Sequence, residues 1–499
     1  MTGSNRLVLV ALDAMEVSWL ERRAAGGDLP NLAAFMRESA GFRVRGPWEL
    51  LHGSVWPTFA SGVNPGRHGR YAWLQWLGEE GRYVRASHPA LAFEPFWRGL
   101  AAAGVRSTVV DVPYVPLVRE PAAEQVIGWG TEDEVERESW PPGLLRDIRR
   151  EFGRHPLGLD TLESLSGQER AAMARELARG VAMRARLLER LAGDPARRFA
   201  VVLFGETHKA GHYLAEACEV VPGVTNLDLV ARVLRPLDEA WPRVLQAAGE
   251  GTTVALFALH GMRHQVDFSE LGVQVLALAL GKEPAAAVPR ADLLRRLRDA
   301  IPDRVHRFAW NRLPARVRAA RQAQLDGRVS AAGREPVFRV THDIDLALRL
   351  NLAGRERDGS ISPAEGEALL ARVEAAAAGV RTGAGEPVYR ELWRTAEHFS
   401  GPRAHRLPDA LLVGSPELVR VTEAFDAAGR RLVNPMQERR NGVHTGRGFC
   451  YVRPGTGVGL DGRAEIDARD FAPTAYAVLG VPAPPGFEGK PFAGCAAGG

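Results

Sequence analysis

Lysine is scarce in this chain. Three occur in 499 residues, Lys209, Lys282 and Lys490, so arginine carries nearly all the positive charge. The net charge is +4, but the arginines are spread along helix-like segments and mixed with Asp and Glu. Nucleic-acid binding needs basic residues gathered into a patch or stripe, so it is not expected here. Arginine in place of lysine, with abundant Ala and Gly, fits a GC-rich genome. Cysteine is equally rare. Cys218, Cys450 and Cys495 are far apart, odd in number and show no CxxC spacing. That argues against a disulfide framework or a thiolate zinc ribbon and leaves structural thiols in a reducing compartment. Long apolar runs are missing as well. The N-terminal run, Leu7 to Leu12, is too short for a bilayer, ends at Asp13 and precedes no small-residue cleavage pattern. The expectation is a cytoplasmic protein with no membrane partner. No repeat or low-complexity linker interrupts the chain, and Gly494–Gly499 reads as a frayed tail.

What is present is a series of short apolar runs: Leu7–Leu12, Ser107–Val112, Phe199–Leu203, Val254–Leu259 and Ala410–Val413. Each reads as a buried parallel strand followed by a loop or helix. Such alternation predicts an α/β fold with a doubly wound sheet. Ligands then collect at the carboxyl ends of the strands. Two segments do not follow the pattern. Residues 131–195 and 283–337 are helical and charged, the second rich in arginine, and read as insertions beside or over the site. The core is then 1–130, 196–282 and 338–499.

Several polar residues sit at the predicted strand ends. Asp13 follows the first run in LVLVALDAM. FGETHKAGH places His208 and His212 four apart after the third run. If a helix starts near Glu206, both imidazoles share one face and can share one metal ion. His260 follows the fourth run in ALFALHGM, with His264 four residues on, and Gly261 lets the backbone turn sharply there. His444 lies in the glycine-rich NGVHTGRG. One histidine at a strand end signifies little; several among thirteen are harder to dismiss. In LHGSVWPTFASGVNPGRHG, residues 51–69, a helix is expected after Ser54, which suits either an N-cap or a nucleophile at the positive end of the helix. Trp56, Asn64 and His264 are candidate substrate contacts. Among the other tryptophans, those at 48, 73, 76 and 97 read mostly as core or pocket wall, though Trp73, like Trp56, is near enough to stack on a substrate ring.

These pieces in this order resemble the type I phosphodiesterase/nucleotide pyrophosphatase branch of the alkaline phosphatase superfamily. The segments that carry the likeness are WPTFASGVNPGRHG, ETHKAGH, HGM and GVHTGRG. DLPNL (28–32), DVPY (111–114), LRLNLAGRERDG (348–359), LPDALLV (407–413) and ARDFAPTAYAVLGVPAPPGFEGKPF (468–492) are similar to family segments too. The resemblance spans almost the whole chain. It implies an alkaline-phosphatase-like central mixed β-sheet flanked by helices on both faces, with helical cap insertions. It also implies two metal ions, usually zinc, about 4 Å apart.

Carried over residue by residue, His212 and His444 resemble ligands of the first metal, and Asp13 and His260 ligands of the second. This chain departs from the pattern at three positions. His208 stands where the family has a carboxylate, and Leu259 stands where it has another. Counted back from SGVNPG, the nucleophile position falls on His52, with Ser54 two residues further on. The first site becomes a histidine trio, and the second keeps Asp13 and His260 only. The implied function is a metal-dependent hydrolase or transferase acting on a phosphate (di)ester or related anionic small-molecule ester, with Ser54 or His52 at the reacting group. The alternatives are one metal with a changed, non-hydrolytic biosynthetic reaction, and a degenerate member without catalysis.

Overall fold

The computed structural model describes residues 5–45, 51–130, 137–156, 166–216, 218–265, 269–284, 335–342, 346–434 and 441–495. Trp48 lies outside them, as does nearly all of the Arg-rich segment 283–337. In chain order, the strands that build the site and its support begin with β1 (Arg6–Leu12), β2 (Ala40–Arg45), β3 (Ser107–Val110), β4 (Ala123–Ile127) and β5 (Glu138–Trp140). They continue with β6 (Phe199–Phe204), β7 (Thr252–Ala258), β8 (Gly261–His264), β9 (Val337–Val340) and β10 (Leu346–Leu350). The last are β11 (Tyr389–Arg394), β12 (Ala410–Gly414), β13 (Gly442–Thr445), β14 (Gly448–Arg453) and β15 (Glu465–Asp467). The helices that matter are α1 (Val55–Ser61), α2 (Leu144–Phe152), α3 (Gly167–Gly193), α4 (Glu206–Leu214), α5 (Asn226–Ala248), α6 (Ser269–Ala279), α7 (Pro363–Ala378) and α8 (Phe471–Leu479).

Nine strands form the central sheet in the order β15-β2-β14-β7-β1-β6-β3-β4-β5. The run β7-β1-β6-β3-β4 is parallel, whereas β14 and β5 are antiparallel to their neighbours, so the sheet is mixed. The central strands are apolar throughout because both their faces are covered. On β1, Leu7, Leu9 and Ala11 face one core with α1 and α8. Val8, Val10 and Leu12 face the other, with α3 and α5. Reciprocal capping boxes start α3 (Ser166 with Glu169) and α5 (Thr225 with Asp228), which fixes where these long helices meet the sheet.

Of the segment 131–195, the described parts 137–156 and 166–195 are woven into this framework. β5 pairs with β4, and Leu177, Val181 and Leu188 of α3 pack in the same core as β1 and α5. The run Ala410–Val413, expected as a parallel strand of the main sheet, is instead central in a second, four-stranded antiparallel sheet, β9-β10-β12-β11. Its apolar run has the same physical cause. Leu411 and Val413 face the main core, while Ala410 and Leu412 face a separate core shared with α6 and α7. Of the expected frayed tail, Gly494 and Cys495 lie in a strand, Ala493–Cys495, that pairs with Val458–Leu460, and residues 496–499 lie outside the described residues. The three cysteines are free thiols. No helix among the described residues is long and apolar enough to cross a membrane.

Candidate metal centre

Three neighbouring parallel strands, β7, β1 and β6, end flush. Ala11 pairs with both Phe257 and Leu203, and Leu12 pairs with Phe204. Asp13, His260 and the start of α4 therefore emerge side by side at the carboxyl edge of the sheet. Ala14, directly after Asp13, has φ 51°. Left-handed backbone is uncommon outside glycine, and such strain gathers at functional sites. α4 begins at Glu206, as its sequence predicts, and stacks His208 and His212 one turn apart with ring centroids 4.6 Å from each other.

His444 arrives from another direction. β8 and β13 pair antiparallel with Met262 opposite His444, which lays His444 against α4. The approach is close enough to require glycine. A Cβ on Gly442 would lie 2.0 Å from the Gly211 carbonyl oxygen. The His444 ring then lies 4.9 Å from His212, 5.0 Å from His208, 4.9 Å from His260 and 4.7 Å from His52, centroid to centroid.

The hydrogen bonds set the orientation of these rings. His212 Nδ1 lies 2.9 Å from the Gly442 carbonyl, and His208 Nδ1 lies 3.3 Å from Asp13 Oδ2. The Nε2 atoms of the two rings are 2.9 Å apart, within hydrogen-bond distance of each other. One nitrogen from each of His208, His212 and His444 falls within a cluster 4.8 Å across. Asp13 is fixed by the Trp56 indole, which donates to Oδ1 at 2.9 Å, and its backbone carbonyl accepts from Thr207 Oγ1 at 2.7 Å. His260 Nε2 stands 4.0 Å from Asp13 Oδ1. Among the described residues, His260 Nδ1, His444 Nδ1 and both ring nitrogens of His52 are buried without a hydrogen-bond partner.

Burial and the crowding of rings hold His212, His260, His52 and His444 below the ordinary imidazole value. Burial, then the neighbouring His208, pushes His212 down to about 3, and burial pushes His260 down to about 4. His52 and His444 are held well below 6.5 by burial and then by the surrounding histidines. Asp13 is depressed, because His208, His260 and the Trp56 bond outweigh the cost of burial. An ionised carboxylate beside imidazoles with converging nitrogens is a donor set that fits a divalent metal ion.

Other expected site residues fall elsewhere. Ser54 is fully buried, and its hydroxyl donates to the Leu51 carbonyl at 2.6 Å rather than facing the histidines. Asn64 caps the short helix that follows it and donates to Glu488 at 2.8 Å. His264 is at the far end of β8, opposite Gly442 and half-buried. Leu259 is buried in the main core. Trp73 carries the Arg85 guanidinium 5.6 Å from its ring centroid, and Trp76 donates to Glu356.

Two features escape the sequence patterns. His342, just past β9, lies 5.5 Å from His52. A buried ion chain also anchors α4. Glu206 Oε1 meets Arg184 Nε at 2.9 Å and His155 Nε2 at 2.5 Å, and Arg184 reaches Asp111 Oδ2 at 2.8 Å. Asp111, with φ 57°, accepts from the amides of Trp129 and Gly130.

The fold is of the alkaline-phosphatase-like class. The wild-type alkaline phosphatase PafA is similar at 13 % identity, with 99 % of each chain covered and a TM-score of 0.56. Phosphonoacetate hydrolase from Sinorhizobium meliloti 1021, in complex with phosphonoformate, is similar at 14 % identity, with 95 % of this chain and 96 % of that chain covered and a TM-score of 0.50. The chain belongs to the type I phosphodiesterase/nucleotide pyrophosphatase family, whose profile matches residues 7–427. Comparison with curated proteins gives no match.

Proposed function

We propose that the protein is a metal-dependent hydrolase of phosphate diesters or related anionic esters, with His208, His212 and His444 holding a zinc ion. The observation that carries this reading is the convergence of three imidazoles within one 4.8 Å cluster at the carboxyl edge of the sheet. A zinc ion there supplies Lewis acidity and stabilises the charge that builds on the phosphoryl oxygens. Asp13 and His260 stand beside the trio as the remaining donors of a second position.

The chain's own groups divide the remaining work. Asp13, fixed by Trp56, orients His208 and holds it in one tautomer. Gly442 does the same for His212 through its carbonyl. His52, rather than Ser54, meets the phosphorus. Its neutral imidazole attacks, a P–N bond forms and the P–O bond to the leaving group breaks. The leaving oxygen keeps the electron pair and takes the proton that the other ring nitrogen of His52 gives up. Water then attacks the same phosphorus, the P–N bond breaks, one proton of the water returns to the ring to restore neutral His52, and the other leaves with the phosphate product.

Leu259 favours the narrower form of this reading, with a single metal. A leucine packed in the main core offers no donor where the family has a carboxylate. The test is hydrolysis of bis(p-nitrophenyl) phosphate and of p-nitrophenyl phosphate by zinc-loaded protein. Turnover of either, abolished in His212→Ala, supports the proposal. Metal bound without turnover of any ester points to a changed, non-hydrolytic reaction.

A further inference from the structure

Away from the histidines, one concavity at the sheet edge is lined by arginines, with no carboxylate among the described residues that line it. The concavity, of about 510 Å³, is lined by Arg137, Ser139, Arg146, Arg149, Arg150 and Arg154. It is built from two elements. Glu138 of β5 pairs with Ile127, the last residue of β4, so Arg137 sits at the same carboxyl edge as Asp13. β4 is three strands from β1 in the sheet order, roughly 14 Å at ~4.8 Å per strand. α2 then presents Arg146, Arg149 and Arg150 at i, i+3 and i+4, and the chain beyond it adds Arg154.

Asp147 reaches Arg146 at 3.7 Å and Arg150 at 3.4 Å. Glu138 is turned to Arg119, and Glu151 to Arg190. Among the described residues, Arg137, Arg149 and Arg154 have no carboxylate partner. The Arg149 guanidinium is held below its ordinary value by burial and then by Arg137 and Arg154, against the pull of Asp111. Like charges at this spacing destabilise a helix, and a multiply charged anion removes that cost. Guanidinium forks match phosphate oxygens two at a time.

We propose that this concavity is a second anion site, separate from the histidine centre, that binds a condensed phosphate group, either free or as part of an ester substrate. The proposal stands apart from the metal reading, since none of its residues touches the histidines.

The test is calorimetric titration of the protein with inorganic pyrophosphate at low salt. The expected result is saturable binding that persists in His444→Gln and weakens by about tenfold or more in Arg149→Gln/Arg154→Gln. Circular dichroism shows whether the double variant is folded, and the exposed Arg137→Gln serves as a second variant. Displacement of pyrophosphate by a diphosphate ester assigns the site to a substrate's own tail, and binding without displacement assigns it to the free anion; both keep the site. Absence of binding overturns the proposal. So does binding that disappears in His444→Gln while both arginine variants retain it.

Discussion

His208 and His212 face each other with their Nε2 atoms 2.9 Å apart, while the opposite nitrogen of each ring is turned toward a fixed acceptor, Asp13 for one and the Gly442 carbonyl for the other. That contact is a hydrogen bond, and a metal ion held by both Nε2 atoms would take the place of its proton. Zinc should therefore raise the melting temperature strongly by binding only the folded state.

Acid should act in the opposite direction. His212 and His260 titrate at about 3 and about 4 in the folded chain, against 6.5 for an unperturbed histidine. Below 6.5 the unfolded chain binds more protons, so stability falls as pH falls from there toward 3 to 4. Above 6.5 these groups contribute no pH dependence. Thermal melts of metal-free protein between pH 4 and 8 check this, as flat behaviour below pH 6.5 would contradict the buried neutral imidazoles.

His52 separates metal binding from chemistry. It lies against His444 but contributes no nitrogen to the 4.8 Å trio. His52→Ala should keep bound zinc and lose at least about a hundredfold in turnover, the usual scale for a reacting group. Rapid quench with labelled substrate should give an acid-labile, base-stable phosphoryl adduct on the wild type. Full turnover by His52→Ala would remove it from the reaction.

The ion chain behind α4 bears on stability. Glu206 and Arg184 have no exposed side-chain surface. Glu206→Ala leaves the Arg184 guanidinium buried with only one of its two carboxylate partners. The expected loss is about 3–5 kcal/mol in urea unfolding. Because Glu206 starts the helix that carries His208 and His212, zinc affinity should fall as well.

Gly442 tests the close approach of β13 to α4. Gly442→Ala would place a methyl against the Gly211 carbonyl, and the strand would have to move. A loss of about 1–3 kcal/mol is expected, with weaker zinc binding because His444 shifts with the strand. Melting curves and zinc titration of this one variant measure both.

Much of this centre was legible in the chain because the central strands are covered on both faces. Each reads as an unbroken apolar run, and the polar residue that ends it, Asp13 or His260, marks the sheet edge. The start of α4 at Glu206 was legible for the same reason. Ala410–Val413 misled because a central antiparallel strand between two cores has the same apolar run as a parallel one. The place of Ser54 before a helix was legible, and only packing adds that its hydroxyl donates to the Leu51 carbonyl. Arg184 looks like any arginine of a charged helix, since its burial depends on Asp111 and Glu206, far away in sequence. His342 had no motif around it and joins the cluster through the second sheet.

The most direct test of the account is zinc content per chain in protein purified without chelator, with His212→Ala and His444→Ala alongside. The account predicts about one equivalent or more in the wild type, lost in both variants while the fold is kept. Folded wild-type protein with no bound zinc, and none taken up on addition, would contradict it.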